Sequence, residues 1–146
     1  MKYLTCLIGA LCLAGVLCPA MPSSARAATS ERFGMGGWIK DFQPEIDRVN
    51  ASGELFRIKG HCQSNCTLFL GVRNVCVERG ARLLFHSGHD RQRRINAAST
   101  QRMLSAYNPK LRRYVMDHHY MDTLEFHAIS GADIIDKFGY RECPRR

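Results

Sequence analysis

The segment that decides the fold reads Gly60-His61-Cys62-Gln63-Ser64-Asn65-Cys66-Thr67, and a second key pair, Phe85-His86, follows a short apolar run. Residues 54–59 predict a strand and residues 65–72 a buried helix. Ser64 is therefore expected at a strand-to-helix turn, where a serine is a nucleophile if a base lies within hydrogen-bond reach. His86, at the end of the following strand, is the candidate base. The alternative is that Ser64 only caps the helix.

The first 27 residues predict a cleavable export signal. Lys2 gives a positive start, residues 4–17 are apolar, and Ala25-Arg26-Ala27 offers a small-x-small cleavage site. The apolar stretch is shorter than a membrane-spanning helix requires. We therefore expect residues 28–146 to form a single domain that is periplasmic or secreted.

The chain is basic, with a formal net charge of +8. Removal of Lys2 and Arg26 with the signal lowers this charge to +6. Most of the remaining bases are scattered, apart from the segment Arg91 to Arg94 and the terminal Arg145-Arg146 pair, which is typical of a solvated surface. No nucleic acid is expected as a partner of an exported protein, whereas an anionic envelope surface is a candidate.

Four cysteines remain after the signal: Cys62, Cys66, Cys76 and Cys143. An even number of cysteines in an exported protein predicts two disulfides. Three pairings are compatible with the sequence, which does not choose among them. A bridge from Cys143 to the central region would close a long loop and stabilise the fold by about 2–4 kcal/mol.

A zinc site is the alternative use of these cysteines. Its candidate ligands are His61, Cys62, Cys66, Cys76, His86, His89 and Cys143. The mature chain has no Cys-x-x-Cys or His-x₃-His pair, and exported thiols tend to oxidise. The sequence therefore predicts no metal and no cofactor.

The rest of the chain alternates helices and strands. Helices are predicted at residues 44–50, 95–107, 110–118 and 130–137. Strands are predicted at residues 54–59, 75–77 and 81–86. Pro44 is expected in the first turn of its helix, or as a kink in a longer one, and the Asn108-Pro109 pair starts the third. This order predicts α/β layers around a small sheet.

The pattern resembles the core of the Clp protease/crotonase superfamily, and more closely short exported Clp-like proteins of bacteria. The resemblance covers residues 36–143. Its motifs are Gly36-Gly37 before a helix, the Gly-x-Cys-x-Ser-x-Cys-Thr turn, Ala-Arg-Leu-Leu-Phe-His at residues 81–86, and a closing helix at Ser130 to Gly139. It implies a small, truncated Clp/crotonase-like sheet with flanking helices, braced by disulfides.

The resemblance also implies a serine hydrolase of the peptidase type. Ser64 would be the nucleophile and His86 its base, and the backbone amides of Gly37 and Asn65 would form the oxyanion hole. The expected substrate is a peptide or an ester. Because the superfamily commonly forms rings or trimers, a homo-oligomer is also implied. Trp38 is expected to anchor the glycine loop in the core, the alternative being that it lines a substrate groove.

Two departures from the family pattern affect these expectations. The usual N-terminal strands are expected to be missing, because the mature chain starts just before Gly36-Gly37. The acid that orients the histidine is also not obvious: Glu125 is the nearest carboxylate, followed by Asp122 and Asp133. The departures leave open a catalytically silent binding or assembly module of the cell envelope that keeps the fold.

Overall fold

Two small three-stranded sheets form the centre of a mixed α/β fold, and helices flank them. The computed structural model describes residues 28–145. The predicted export signal, residues 1–27, lies outside the described residues. Within the described range, no helix is both long enough and apolar enough to cross a membrane.

Strands and helices alternate along the chain. The strands are β1 (Ala28–Thr29), β2 (Phe56–Ile58), β3 (His61–Gln63), β4 (Val75–Val77), β5 (Arg82–Phe85) and β6 (His127–Ser130). The α-helices are α1 (Ile39–Ser52), α2 (Ala97–Ser105), α3 (Pro109–Asp117) and α4 (Gly131–Asp136). Two 3-10 helices cover Glu31–Phe33 and Ser64–Gly71.

The topology brings the Ser64 turn and His86 to one edge of the second sheet. The first sheet is parallel with the order β1-β2-β4, whereas the second has the order β3-β5-β6. In the second sheet β3 runs parallel to β5, and β6 runs antiparallel to β5. Because neighbouring parallel strands end at the same edge, the residues that follow β3 and β5 lie at that edge. These residues are Ser64 and His86.

One part of the core lies between α1, the first sheet and the Ser64–Gly71 helix. The rings of Phe42, Phe56 and Phe69 are at most 1% exposed. The Phe69 centroid lies 4.2 Å from that of Phe56 and 5.7 Å from that of Phe42. Burial of such aromatic rings supplies much of the stabilisation of a small domain. The packing therefore holds the helix that begins at Ser64 firmly against the sheet.

The four cysteines form two disulfides, which confirms the predicted number of bridges. Cys62 is bonded to Cys66, and Cys76 is bonded to Cys143, 67 residues away. Two disulfides are typical of proteins in an oxidising, extracytoplasmic environment. The zinc alternative loses its cysteine ligands, and residues 28–145 contain no group of three or more side chains suited to holding a metal ion.

The C-terminal segment is attached to β4 by hydrogen bonds as well as by a disulfide. The Val77 N–H donates to the carbonyl oxygen of Arg141 at 2.9 Å, and the Cys143 N–H donates to the Val77 carbonyl at 3.0 Å. Val77 and Glu142 form a parallel bridge. Residues 141–143 therefore lie along the side of β4 that β2 leaves open.

Helix α1 is longer than predicted, because it begins at Ile39 and passes through Pro44. Proline inside a helix removes a hydrogen bond and is costly. The buried side chains Phe42, Ile46 and Val49 recur at helical spacing and pack into the core, which offsets this cost. The helix ends at Gly53, whose left-handed backbone (φ 69°) favours glycine.

Three other expectations about the elements are corrected. The buried helix predicted at residues 65–72 is a 3-10 helix, Ser64–Gly71, which ends one residue earlier than expected. A strand does precede the glycine loop: β1 pairs with β2 through Ala28 and Thr29. Strands β3 and β6 are absent from the sequence prediction. Both are short and partly polar, and they form because β5 provides a partner on each side.

Candidate functional site

A cavity of about 750 Å³ opens at the edge where β3 and β5 end. Four residues predicted for the site line it together: Gly37, Ser64, Asn65 and His86. Clefts of this size are typical of small-molecule and peptide sites. Glu125 does not line the cavity, although its neighbours on both sides do.

Ser64 has an unusual backbone for a serine. It is the first residue of its 3-10 helix and has φ of 54°, in the left-handed region that residues with a Cβ rarely adopt. Such strained positions occur often at functional sites. The N-cap of the helix is Gln63, and the Ser64 hydroxyl makes no hydrogen bond within residues 28–145. The interpretation of Ser64 as a simple helix cap is therefore wrong.

Hydrogen bonds fix the glycine loop on the Ser64 turn. The Gln63 N–H donates to the carbonyl oxygen of Gly34 at 2.9 Å, and the Gln63 side-chain amide donates to the Met35 carbonyl at 2.9 Å. The Asn65 side-chain amide donates to the Gly37 carbonyl at 2.7 Å. The loop and the turn thus form a single hydrogen-bonded unit.

Gly36 makes the closest approach of this loop to the candidate nucleophile. A Cβ placed on Gly36 would lie 3.0 Å from the Ser64 Cβ and 3.6 Å from its Oγ. The backbone at Gly36 also has a positive φ of 76°, which favours glycine. A side chain here would crowd the Ser64 hydroxyl, so glycine keeps this part of the cavity open.

The disulfide between Cys62 and Cys66 braces the same turn from inside the protein. Its two half-cystines flank Ser64 symmetrically and are both fully buried. A covalent link over so few residues restricts the backbone conformations open to the turn. The left-handed conformation of Ser64 is thus held by covalent as well as non-covalent contacts.

His86 is a buried imidazole with no partner. The side chain is 3% exposed, and neither ring nitrogen has a hydrogen-bond partner within the described residues. Burial lowers the pKa of His86 below its usual value, and electrostatic repulsion from His89 and Arg93 adds to this effect. Burial therefore favours the neutral imidazole, the form that a general base requires.

The loop that carries His86 is held firmly from two sides. Ser87 donates from its N–H and its hydroxyl to the Thr123 carbonyl, at 2.8 and 2.7 Å. The Gly88 N–H donates to the Thr100 hydroxyl at 2.9 Å. These bonds attach the end of β5 to helix α2 and to the segment before β6, so the position of the imidazole is well defined.

The predicted triad is not assembled by hydrogen bonds. Because both ring nitrogens of His86 lack partners in the described chain, neither Ser64 nor a carboxylate is bonded to them. Glu125 is exposed, Asp122 binds the His119 ring at 2.7 Å, and Asp133 pairs with Lys137 at 2.9 Å. None of the three candidate acids therefore orients the imidazole.

Strand β6 explains why Glu125 misses His86. His127 pairs with Phe85 at the start of β6, which fixes the path of the preceding turn. The side chain that this turn presents to the imidazole is that of Phe126, whose ring stands edge-on to His86 with centroids 4.8 Å apart. An apolar ring thus occupies the neighbourhood that a carboxylate was expected to fill.

Several lining residues were not among the predicted site residues. Trp38 is 45% exposed and lines the cavity, so the expectation that it anchors the loop in the core is wrong. Lys40, Arg91 and Arg93 also line the cavity. The basic segment at residues 91–94 was the sequence signal that could have indicated Arg91 and Arg93, whereas nothing comparable marked Lys40.

Comparisons with known proteins leave the family open. The chain has no significant match among protein-family models, curated proteins or solved structures. The resemblance to the Clp protease/crotonase superfamily therefore stays a prediction. Function has to be inferred from the cavity and the residues that line it.

Proposed function

We propose that the protein is an exported serine hydrolase of the peptidase type, with Ser64 as its nucleophile and His86 as its general base. One observation carries the proposal. A strained serine with a free hydroxyl shares a cavity with a buried and unpartnered imidazole. Leaving buried ring nitrogens unpaired is costly, and a catalytic role gives a reason for tolerating this cost.

The proposed reaction is acyl transfer. His86 takes the hydroxyl proton of Ser64 as Oγ attacks the substrate carbonyl carbon, and the N–H groups of Gly37 and Asn65 stabilise the resulting oxyanion. The imidazolium then protonates the leaving amine or alcohol, and water releases the acyl group. A bound substrate would first have to bring Oγ and the imidazole into contact, as often occurs when catalytic hydrogen bonds tighten on binding.

A fluorophosphonate probe tests this function directly, because it labels activated serines. We expect the mature protein to be labelled and the Ser64→Ala and His86→Ala variants to lose labelling while remaining folded. Ser99 lines the same cavity, so Ser99→Ala is the matched control and should keep the label. Labelling that persists in Ser64→Ala would refute the assignment of the nucleophile.

A second candidate, a catalytically silent binding or assembly module of the cell envelope, is favoured by the missing acid. A histidine without an orienting carboxylate loses orders of magnitude in rate in serine enzymes. A well-folded protein that takes up no label would support this function. Its partner would be an anionic envelope surface or a second copy of the chain, which vesicle co-sedimentation and analytical ultracentrifugation distinguish.

A further inference from the structure

The cavity has an excess of positive charge. Lys40, Arg91 and Arg93 line it, and the acidic residue that lines it is Asp90. Both carboxylate oxygens of Asp90 are occupied: Oδ2 pairs with the Arg94 guanidinium at 2.8 Å, and Oδ1 accepts a backbone N–H of Arg94 at 2.9 Å. Asp90 is therefore not available to neutralise the three cations.

These three cations have no ion-pair partner within residues 28–145. Elsewhere in the described chain, Arg48, Arg57 and Arg79 are each paired with acids, whereas Lys110 and Arg113 on α3 are exposed and have no ion pair. A single unpaired surface base is ordinary. Three such charges around one concave site create a positive potential that attracts anions.

Apolar side chains are exposed at the same cavity. Met35, Trp38 and Phe126 are 74%, 45% and 49% exposed, and all three line it. The Arg91 guanidinium lies 5.9 Å from the centre of the Trp38 ring. Clustered exposed apolar groups mark binding surfaces, so the cavity combines apolar contacts with unpaired positive charge.

We propose that this cavity binds acidic peptide segments, in which carboxylate side chains stand next to apolar ones. The inference rests on the proposed function, since it names the substrate class of the same site. The carboxylates would pair with Lys40, Arg91 or Arg93, and the apolar side chains would contact Trp38 and Phe126. The buried, unpartnered imidazole of His86, on which the proposed function also rests, agrees with a cavity that accepts a polar ligand group.

Binding can be measured without turnover. Trp38 is the single tryptophan of the chain, so its fluorescence reports on ligands in this cavity. The Ser64→Ala variant is titrated with hexapeptides that carry Glu, Gln or Lys at each position in turn within an apolar background. Because one exposed ion pair changes affinity by up to about 5-fold, the best Glu peptide should bind up to about 5-fold more tightly than its Gln counterpart. Lys peptides should bind most weakly.

Salt and charge removal identify the source of the preference. The preference for Glu over Gln peptides should be smaller at 1 M salt than at 0.1 M, because the Debye length falls from about 10 Å to about 3 Å. The double variant Arg91→Gln/Arg93→Gln should lose most of it. The matched control is Lys110→Gln/Arg113→Gln, which removes two exposed charges of α3 that do not line this cavity and should keep the preference.

Hydrolysis of the same peptides by the wild-type protein separates this inference from the proposed function. Selective binding of Glu peptides without turnover would support the ligand class and count against the hydrolase. Turnover with equal kcat/KM for Glu and Gln peptides would overturn the ligand class and leave the hydrolase standing. A preference for Glu that survives Arg91→Gln/Arg93→Gln at low salt would overturn the assignment of these two arginines as its source.

Discussion

The two disulfides should contribute very differently to stability, and removing each one separately tests this. The bridged cysteines are four residues apart in Cys62–Cys66 and 67 apart in Cys76–Cys143. A crosslink restricts the unfolded chain more when it closes a longer loop. The chain-entropy relation gives about 2 kcal/mol for the short loop and about 4 kcal/mol for the long one. Both pairs are buried, so alanine pairs suit both replacements.

The assay is equilibrium unfolding in guanidinium chloride, monitored by circular dichroism, on the wild type and on the two double-alanine variants. The free energy of unfolding should fall about 2 kcal/mol further in Cys76→Ala/Cys143→Ala than in Cys62→Ala/Cys66→Ala. The slope of the transition must be compared as well, since a lost crosslink also changes the unfolded state.

The two disulfides should rank in the opposite order in their effect on the reactivity of Ser64. Cys62–Cys66 brackets Ser64, so its removal should lower fluorophosphonate labelling more than removal of the more stabilising bridge, when both variants are assayed under conditions where they are folded. Equal losses of stability would refute the loop-length argument. Labelling that is unchanged in Cys62→Ala/Cys66→Ala would show that the bridge does not hold the nucleophile turn in its active shape.

Three further predictions concern the core and its pH dependence. Because burial lowers the pKa of His86, the unfolded chain binds a proton at this histidine before the folded protein does as pH falls below about 6.5. The free energy of unfolding of the wild type should therefore decrease from pH 7 to pH 5 more steeply than that of His86→Gln, as measured by parallel denaturant titrations. Tyr107→Phe removes a buried hydroxyl bonded to Thr67 at 2.6 Å and should cost about 1 kcal/mol in chemical unfolding, whereas no loss would mean that the bond adds nothing net. A Cβ on Gly131 would lie 2.1 Å from a backbone carbonyl oxygen of the β4–β5 turn, whereas one on Gly53 would meet nothing within 4 Å. Thermal melts should therefore show that Gly131→Ala lowers the free energy of unfolding by about 3 kcal/mol or more, and Gly53→Ala by about 1 kcal/mol. Similar losses in the two variants would contradict the steric argument.

The elements that the sequence predicted well are those whose signals are local. Helix α3 follows the Asn108-Pro109 pair, and the Asn108 side chain accepts the predicted capping bond from the Leu111 N–H. Ser130 caps α4 in the same way. Strand β4 matches residues 75–77 because two valines, which have high β-propensity, flank Cys76 just before a turn.

The elements that were missed depend on partners distant in sequence. His61–Gln63 is polar and next to a glycine, and it becomes a strand because β5 pairs with it. The turn before β6 likewise takes its path from long-range pairing, so the exposure of Glu125 could not be read from residue order. The predicted grouping of Gly37, Ser64, Asn65 and His86 is present as a shared cavity, whereas their catalytic roles stay predictions.

The attachment of residues 141–143 to β4 has a consequence for how the protein behaves outside an oxidising compartment. A strand at the border of a sheet exposes unpaired backbone groups that can template pairing with other molecules. Here the chain's own C-terminal segment shields that border, and the Cys76–Cys143 bond keeps the shield from peeling away. Under reducing conditions the segment would be held by hydrogen bonds and packing alone. We therefore expect the bridge to limit self-association at this border as well as to stabilise the folded chain.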